Sequence, residues 1–129
     1  MTFHEYGQGN GDVVVLIHPS LVMWDYFEYV IPLMEDCCHL VIPALPGYDP
    51  DDKSNFTSVE QIASDLADWL IARGYGEIAW FKAHLPQTIF RIIEDVGHGG
   101  LAALKPELMA SELSRVMRDS FCVEEGASR

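Results

Sequence analysis

Basic residues are scarce in this sequence: 8 Lys and Arg stand against 20 Asp and Glu over 129 residues, a formal net charge of -12. Such a chain repels polyanions before contact forms, which excludes nucleic acid and anionic membrane surfaces as expected partners. Apolar runs are also short, none approaching the roughly 20 residues that a membrane span needs. The opening Met1-Thr2-Phe3-His4-Glu5 has neither a basic segment nor an apolar one, so no signal peptide is expected and the location is read as cytoplasmic. Cysteine is rare, with 3 in the chain. An odd number cannot pair completely, and the adjacent Cys37 and Cys38 are poorly placed to bridge each other, so reduced thiols in small core positions are expected. No metal-ligand spacing such as His-Glu-x-x-His occurs, and Gly7, Gly9 and Gly11 precede a strand instead of linking strand to helix. Neither a metal site nor a dinucleotide site, nor any other cofactor, is therefore expected.

What is present is ordinary globular usage, 49% hydrophobic and 22% charged, without repeats or linkers. One domain over residues 1–118 with a flexible tail over 119–129 is expected. The unbroken run Asp12–Ile17, closed by His18-Pro19-Ser20, predicts a buried parallel strand feeding a helix. Residues 1–11 read as an edge strand and a glycine-rich turn. Trp24, Phe27, Ile31 and Met34 share one helical face, with Pro32 expected to loosen or end that helix. Cys38–Pro43 predicts a second buried strand. A helix starting at Thr57 or Ser58, with Glu60 in capping-box spacing from Thr57, carries the stripe Val59, Ile62, Ala63, Leu66 and Leu70 and ends at Gly74. Beyond it, Gly76–Trp80 begins like a third strand and Gln87–Glu94 resumes strand character. Gly97-His98-Gly99-Gly100 makes a tight loop, and Pro106 opens a last helix through Met117 with Leu108, Met109, Leu113, Val116 and Met117 inward. The predicted fold is a small three-layer α/β sandwich, mostly parallel, with helices on both faces.

These residues resemble an α/β-hydrolase in two separated pieces. Residues 1 to about 80 are similar to the family's opening half, with His18-Pro19-Ser20 where members often have His-Gly-x. Val41-Ile42-Pro43-Ala44-Leu45-Pro46-Gly47-Tyr48 stands where members often carry Asp-x-Pro-Gly-x-Gly. Residues from about 81 to 118 look like the family's close, and His98 falls on the position of its catalytic histidine. The family's nucleophile turn, Gly-x-Ser-x-Gly, occurs nowhere in the chain. The lid region and the strand whose end carries the acidic triad member are missing as well, so the resemblance implies a hydrolase with its middle excised.

The resemblance implies an ester or acyl hydrolase scaffold that keeps the histidine, His98, and an oxyanion turn made by His18, Ser20 and Leu21. Pro19 has no N–H, so the turn's donor falls to Ser20 or Leu21. Ser20 is the serine at a strand-to-helix turn and the candidate substitute nucleophile. Asp49, Asp51 and Asp52 read as a solvated acidic loop, and Asp95 lies three residues before His98. Without the usual serine, a single chain is expected to be weak or inactive. The alternative is a non-catalytic module that binds a small ligand or a partner subunit. Loss of the middle strands opens a sheet edge, so a homodimer or strand-exchanged assembly is expected.

Overall fold

The computed structural model describes residues 1–75 and 100–122. The expected strands Gly76–Trp80 and Gln87–Glu94, the loop carrying His98, and Asp95 lie outside the described residues, as does the end of the tail from residue 123.

Among the described residues three strands form one sheet: β1 (Thr2–Tyr6), β2 (Val13–Val15) and β3 (His39–Ala44), in the order β1-β3-β2. β1 runs antiparallel to β3, with Phe3 opposite Pro43, and β2 runs parallel to it, with Val14 opposite Leu40. The central strand among the described residues is thus β3, all six of whose residues are buried, while the valines of β2 are half-buried. The Asp12–Ile17 run overstated its own strand, because length of apolar run measures burial opportunity and not the number of neighbours. Hydrogen bonds extend β2 by one residue at each end, from the His39 N–H to the Asp12 carbonyl (2.7 Å) and from the Leu16 N–H to the Val41 carbonyl (3.0 Å).

β3 also passes through Pro43, which the sequence reading placed at its end. His39 and Val41 both direct their backbone polar groups toward β2, so by the two-residue period Pro43 faces that side too. β2 has already ended there. Proline therefore costs the ladder no hydrogen bond.

Between β2 and β3 the expected single helix is broken into a 3-10 turn, Trp24–Phe27, and a short helix α1, Ile31–Met34. Pro32 sits in the first turn of α1, where its missing N–H has no helical acceptor to lose, so it starts this helix instead of ending one. The spacing of buried side chains survives the break, with Phe27, Val30, Ile31 and Met34 all buried.

Helix α2 (Val59–Ala72) follows its sequence signals closely. Ser58 is the N-cap, its Oγ accepting from the Gln61 N–H at 3.1 Å, one residue later than the Thr57–Glu60 spacing. At the other end Gly74, with φ +84°, closes a Schellman turn: the Tyr75 N–H donates to the Leu70 carbonyl at 2.8 Å and the Gly74 N–H to the Ile71 carbonyl at 3.0 Å. Helices α3 (Gly100–Leu104) and α4 (Pro106–Cys122) complete the described chain, α4 opening on the expected proline.

The strands feed two apolar clusters with alternate residues. Val14, Leu16, Leu40 and Ile42 join Phe27, Val30, Ile31 and Met34, with Ala102, Ala110, Met109, Leu113 and Met117 from α3 and α4. Phe3 and Val15 instead meet Leu66, Leu70 and Trp69 of α2, where Phe3 and Trp69 stack at 4.1 Å. Among the described residues no helix is long and apolar enough to cross a membrane.

Candidate functional site

Beyond the carboxyl ends of the parallel strands β2 and β3, α2 and the loops leave a cleft of about 460 Å³. Its lining is apolar: Ile17, Leu45, Phe56, Val59, Ile62, Leu66 and Leu70, with Ser20 and Tyr48 as the hydroxyl-bearing side chains. Only the lower part of the α2 stripe, Leu66 and Leu70, is covered, while Val59 is 70% exposed and Phe56 52%. The whole of a stripe that sequence periodicity assigns to the core lines the cleft, and its first turns are open to solvent. Ligands of open α/β sheets sit outside the carboxyl ends of strands, which is where this cleft lies.

His18 stands behind the cleft and is 2% exposed. Its Nε2 accepts from the Leu45 N–H at 3.1 Å, and its Nδ1 lies 3.1 Å from the Pro19 carbonyl oxygen. A backbone N–H can only donate, so the proton of the neutral ring is on Nδ1, which donates to Pro19. Leu45 lies two residues beyond Pro43, on the same side of β3. The imidazole thus supplies the ladder acceptor that β2 would have supplied had it continued. Both ring nitrogens are occupied by the backbone, and Tyr48 packs edge-on at 6.0 Å. His18 is a clamp between two loops.

Of the other residues of the turn, Ser20 is exposed on the cleft wall, and Leu21 is 89% exposed with φ +69°, in the left-handed region that a branched apolar residue seldom occupies. His98 lies outside the described residues.

The acidic loop is not uniformly solvated. Asp49 is 8% exposed, and its Oδ1 accepts from the Asp51 N–H at 3.0 Å. Asp52 accepts from the Ser54 N–H at 3.0 Å and lies 3.5 Å from the amino group of Met1. Ser54, whose N–H it accepts, holds the Asp52 carboxyl below the usual carboxylate range, with the terminal ammonium adding to the shift. These two carboxylates are spent on folding their own loop. Cys38 is fully buried as expected, and burial first, then Cys37, pushes its thiol up from 9.0 to about 11, whereas Cys37 is exposed. Among the described residues no three His, Cys, Asp or Glu side chains gather as a metal site.

A second constellation, missed in the sequence, sits at the opposite end of β3. His39, 5% exposed, holds Nε2 at 3.0 Å from Glu5 Oε2 and Nδ1 at 3.2 Å from the Tyr75 hydroxyl. Glu5 Oε1 pairs with the Arg73 guanidinium, which lies over the Trp69 ring at 4.9 Å. Glu5 and His39 are diagonal neighbours on one face of the β1–β3 ladder, where Glu5 opposes Val41, and the Schellman turn delivers Tyr75 to the same place. A polar cavity of about 390 Å³ opens beside them. The partners lie 34 and 36 residues from His39, so no local spacing announces them. The available signal was the histidine itself, polar within Cys38–Pro43.

No family model matches the chain, and no curated protein does. In structure it is similar to the putative alpha/beta hydrolase family protein from Desulfitobacterium hafniense, with 30% sequence identity and a TM-score of 0.53 over 57% of this chain. The match covers 30% of the length of that protein. A mixed α/β fold with a small three-stranded sheet and an α/β-hydrolase-like relationship are what this likeness supports.

Proposed function

We propose that the chain is an α/β-hydrolase-type ester or acyl scaffold whose apolar cleft receives the acyl portion of a small substrate. The observation that carries the reading is the position of the cleft, outside the carboxyl ends of β2 and β3 with the Ser20 turn on its wall. The left-handed Leu21 supports an oxyanion role for the same turn, because backbone strain of about 1–3 kcal/mol persists where surrounding structure enforces it, and functional turns are such places. In this reading His98 is the acid-base histidine, Ser20 the substitute nucleophile, and Ser20 or Leu21 the oxyanion donor. His18 holds the turn. Lacking Gly-x-Ser-x-Gly, a single chain hydrolyses esters weakly or not at all. A three-layer, mostly parallel sandwich, a cytoplasmic location and a homodimer or strand-exchanged assembly belong to the same proposal. β2, paired on one side among the described residues, supports the assembly.

The decisive experiment separates binding from chemistry. Decanoate should displace the fluorescent probe 1-anilinonaphthalene-8-sulfonate from the wild-type chain and fail to do so in Ala63→Trp, which fills the cleft from an exposed helix position. Equal displacement in both would overturn the cleft as the acyl site. For catalysis, p-nitrophenyl butyrate turnover is compared with His98→Ala, and a fluorophosphonate probe with Ser20→Ala. Lower turnover in the first and lost labelling in the second support a hydrolase. Unchanged turnover and no labelling leave the second reading, a non-catalytic binder of small apolar ligands, which the apolar lining favours.

A further inference from the structure

The carboxylate, imidazole and hydroxyl of Glu5, His39 and Tyr75 are linked in one line, and that line ends on a cavity. Glu5, an acceptor, fixes the imidazole proton on Nε2 across 3.0 Å, which leaves the lone pair on Nδ1 for the Tyr75 O–H at 3.2 Å. The pair is sheltered, with side-chain exposures of 6% for His39 and 9% for Glu5. Tyr75 is half-buried, and it lines the cavity together with His39, Arg73 and the Gly9–Gly11 loop. The order of groups is that of a nucleophile, its base and the carboxylate that orients the base, with a phenol in the nucleophile's place.

We infer that Tyr75 is an acyl-accepting nucleophile, activated by His39 with Glu5 as its positioning residue, and that the cavity takes small, polar, activated acyl donors such as aryl esters. Tyr75 Oη attacks the carbonyl carbon while its proton passes to His39 Nδ1. The bond from the acyl carbon to the leaving oxygen breaks, and the aryloxide takes the proton from Nδ1. Glu5 stabilises the intervening imidazolium. Arg73, on the cavity wall, supplies positive charge for the developing oxyanion. Water then cleaves the acyl-tyrosine, giving up one proton through Nδ1 to Tyr75 Oη and releasing the carboxylic acid. A phenol makes an activated ester, so only donors at least as activated can load it. This site is independent of the cleft at Ser20 and does not rest on the function proposed for it.

The test exposes the full chain to p-nitrophenyl acetate and maps the acetyl group by peptide mass spectrometry. Tyr29, 55% exposed, is the internal reference. Tyr75 should be acetylated at least about a hundredfold faster than Tyr29, the lower end of what a positioned base contributes. The pH profile of its rate should differ from that of Tyr29, because the imidazole accepts the proton of Tyr75 and solvent that of Tyr29. Glu5→Gln should slow Tyr75 and return its pH profile to the shape of Tyr29, and Tyr75→Phe should remove that label while leaving any label on Ser20. Acetylation of Tyr75 no faster than Tyr29 in the wild-type chain overturns the inference, whatever the variants do. So does a folded Glu5→Gln chain with unchanged rate and profile.

Discussion

His18 and His39 are both buried beside the central strand, one beyond the end of β2 and the other at the start of β3, and both have two occupied ring nitrogens. Their partners differ in kind. His18 is held by a carbonyl and an N–H of the backbone, groups that can neither titrate nor leave, so its ring is a fixed piece of loop architecture. His39 is held by a carboxylate and a hydroxyl, groups that can carry charge and pass a proton, and the hydroxyl borders open space. The end of the sheet that looks like a hydrolase in sequence thus uses its histidine as a clamp beside an apolar cleft. The end with no sequence motif has the proton-transfer geometry. A buried histidine is informative through the chemistry of its partners, not through its burial.

The His39 end of the sheet should be the more sensitive of the two to substitution. Gly7, with φ +64°, leads out of β1, and a Cβ there would stand 2.3 Å from both the Cys38 and Glu35 carbonyl oxygens. Backbone atoms cannot yield as a side chain can, so Gly7→Ala should cost at least about 3 kcal/mol. Urea denaturation with unchanged stability would show that the β1–β3 end is looser than described. At the cleft end, His18→Ala removes a donor and an acceptor at once, leaving the Leu45 N–H and Pro19 carbonyl without their imidazole partner, and should cost about 2–3 kcal/mol. Decanoate affinity should fall with it, because Leu45 lines the cleft. A loss of stability without any change in affinity would separate the clamp from the cleft. Ser58→Ala removes the cap of the helix that forms the cleft wall, and a cost of about 1 kcal/mol is expected in the same assay.

How far the sequence announced these features follows from the range of the interactions involved. α2 was legible because its signals are local: Ser58 caps three residues ahead, Leu66 and Leu70 follow the helical period, and Gly74 supplies the left-handed turn. The turn His18-Pro19-Ser20 was legible as the close of an apolar run, though the cleft beside it was not. What failed depended on neighbours distant in sequence. Whether β2 or β3 is central is a matter of pairing, which the longer apolar run does not encode. Pro43 could stay within β3 only because β2 had ended, a fact about another strand. The Glu5–His39–Tyr75 line joins residues from β1, β3 and the turn after α2, so it exists only once the sheet has formed.

A gentler probe uses Cys38, whose buried thiol lies beside the start of β3. Its value is raised from 9.0 to about 11 in the folded chain, so the protonated form is the one that folding favours. The stability it contributes is complete below pH 9.0 and is lost as pH climbs through about 11, because the unfolded thiol ionises first. The urea midpoint should therefore fall across that interval, and less steeply in Cys38→Ala, where the Tyr6 phenol, raised from 10.0 by burial and then by Glu35, still contributes. Iodoacetamide at pH 8 should meanwhile label the exposed Cys37 and spare Cys38.

The contrast between the two histidines is tested most directly by long-range proton–nitrogen NMR correlation of the imidazole rings at a pH where both are neutral. Opposite tautomers are expected, with the proton on Nδ1 in His18, donated to the Pro19 carbonyl, and on Nε2 in His39, donated to Glu5. In Glu5→Gln the His18 pattern should stay while that of His39 changes. A neutral His39 protonated on Nδ1 would remove the base from Tyr75, and two rings with the same tautomer would contradict the distinction between the clamp and the proton acceptor.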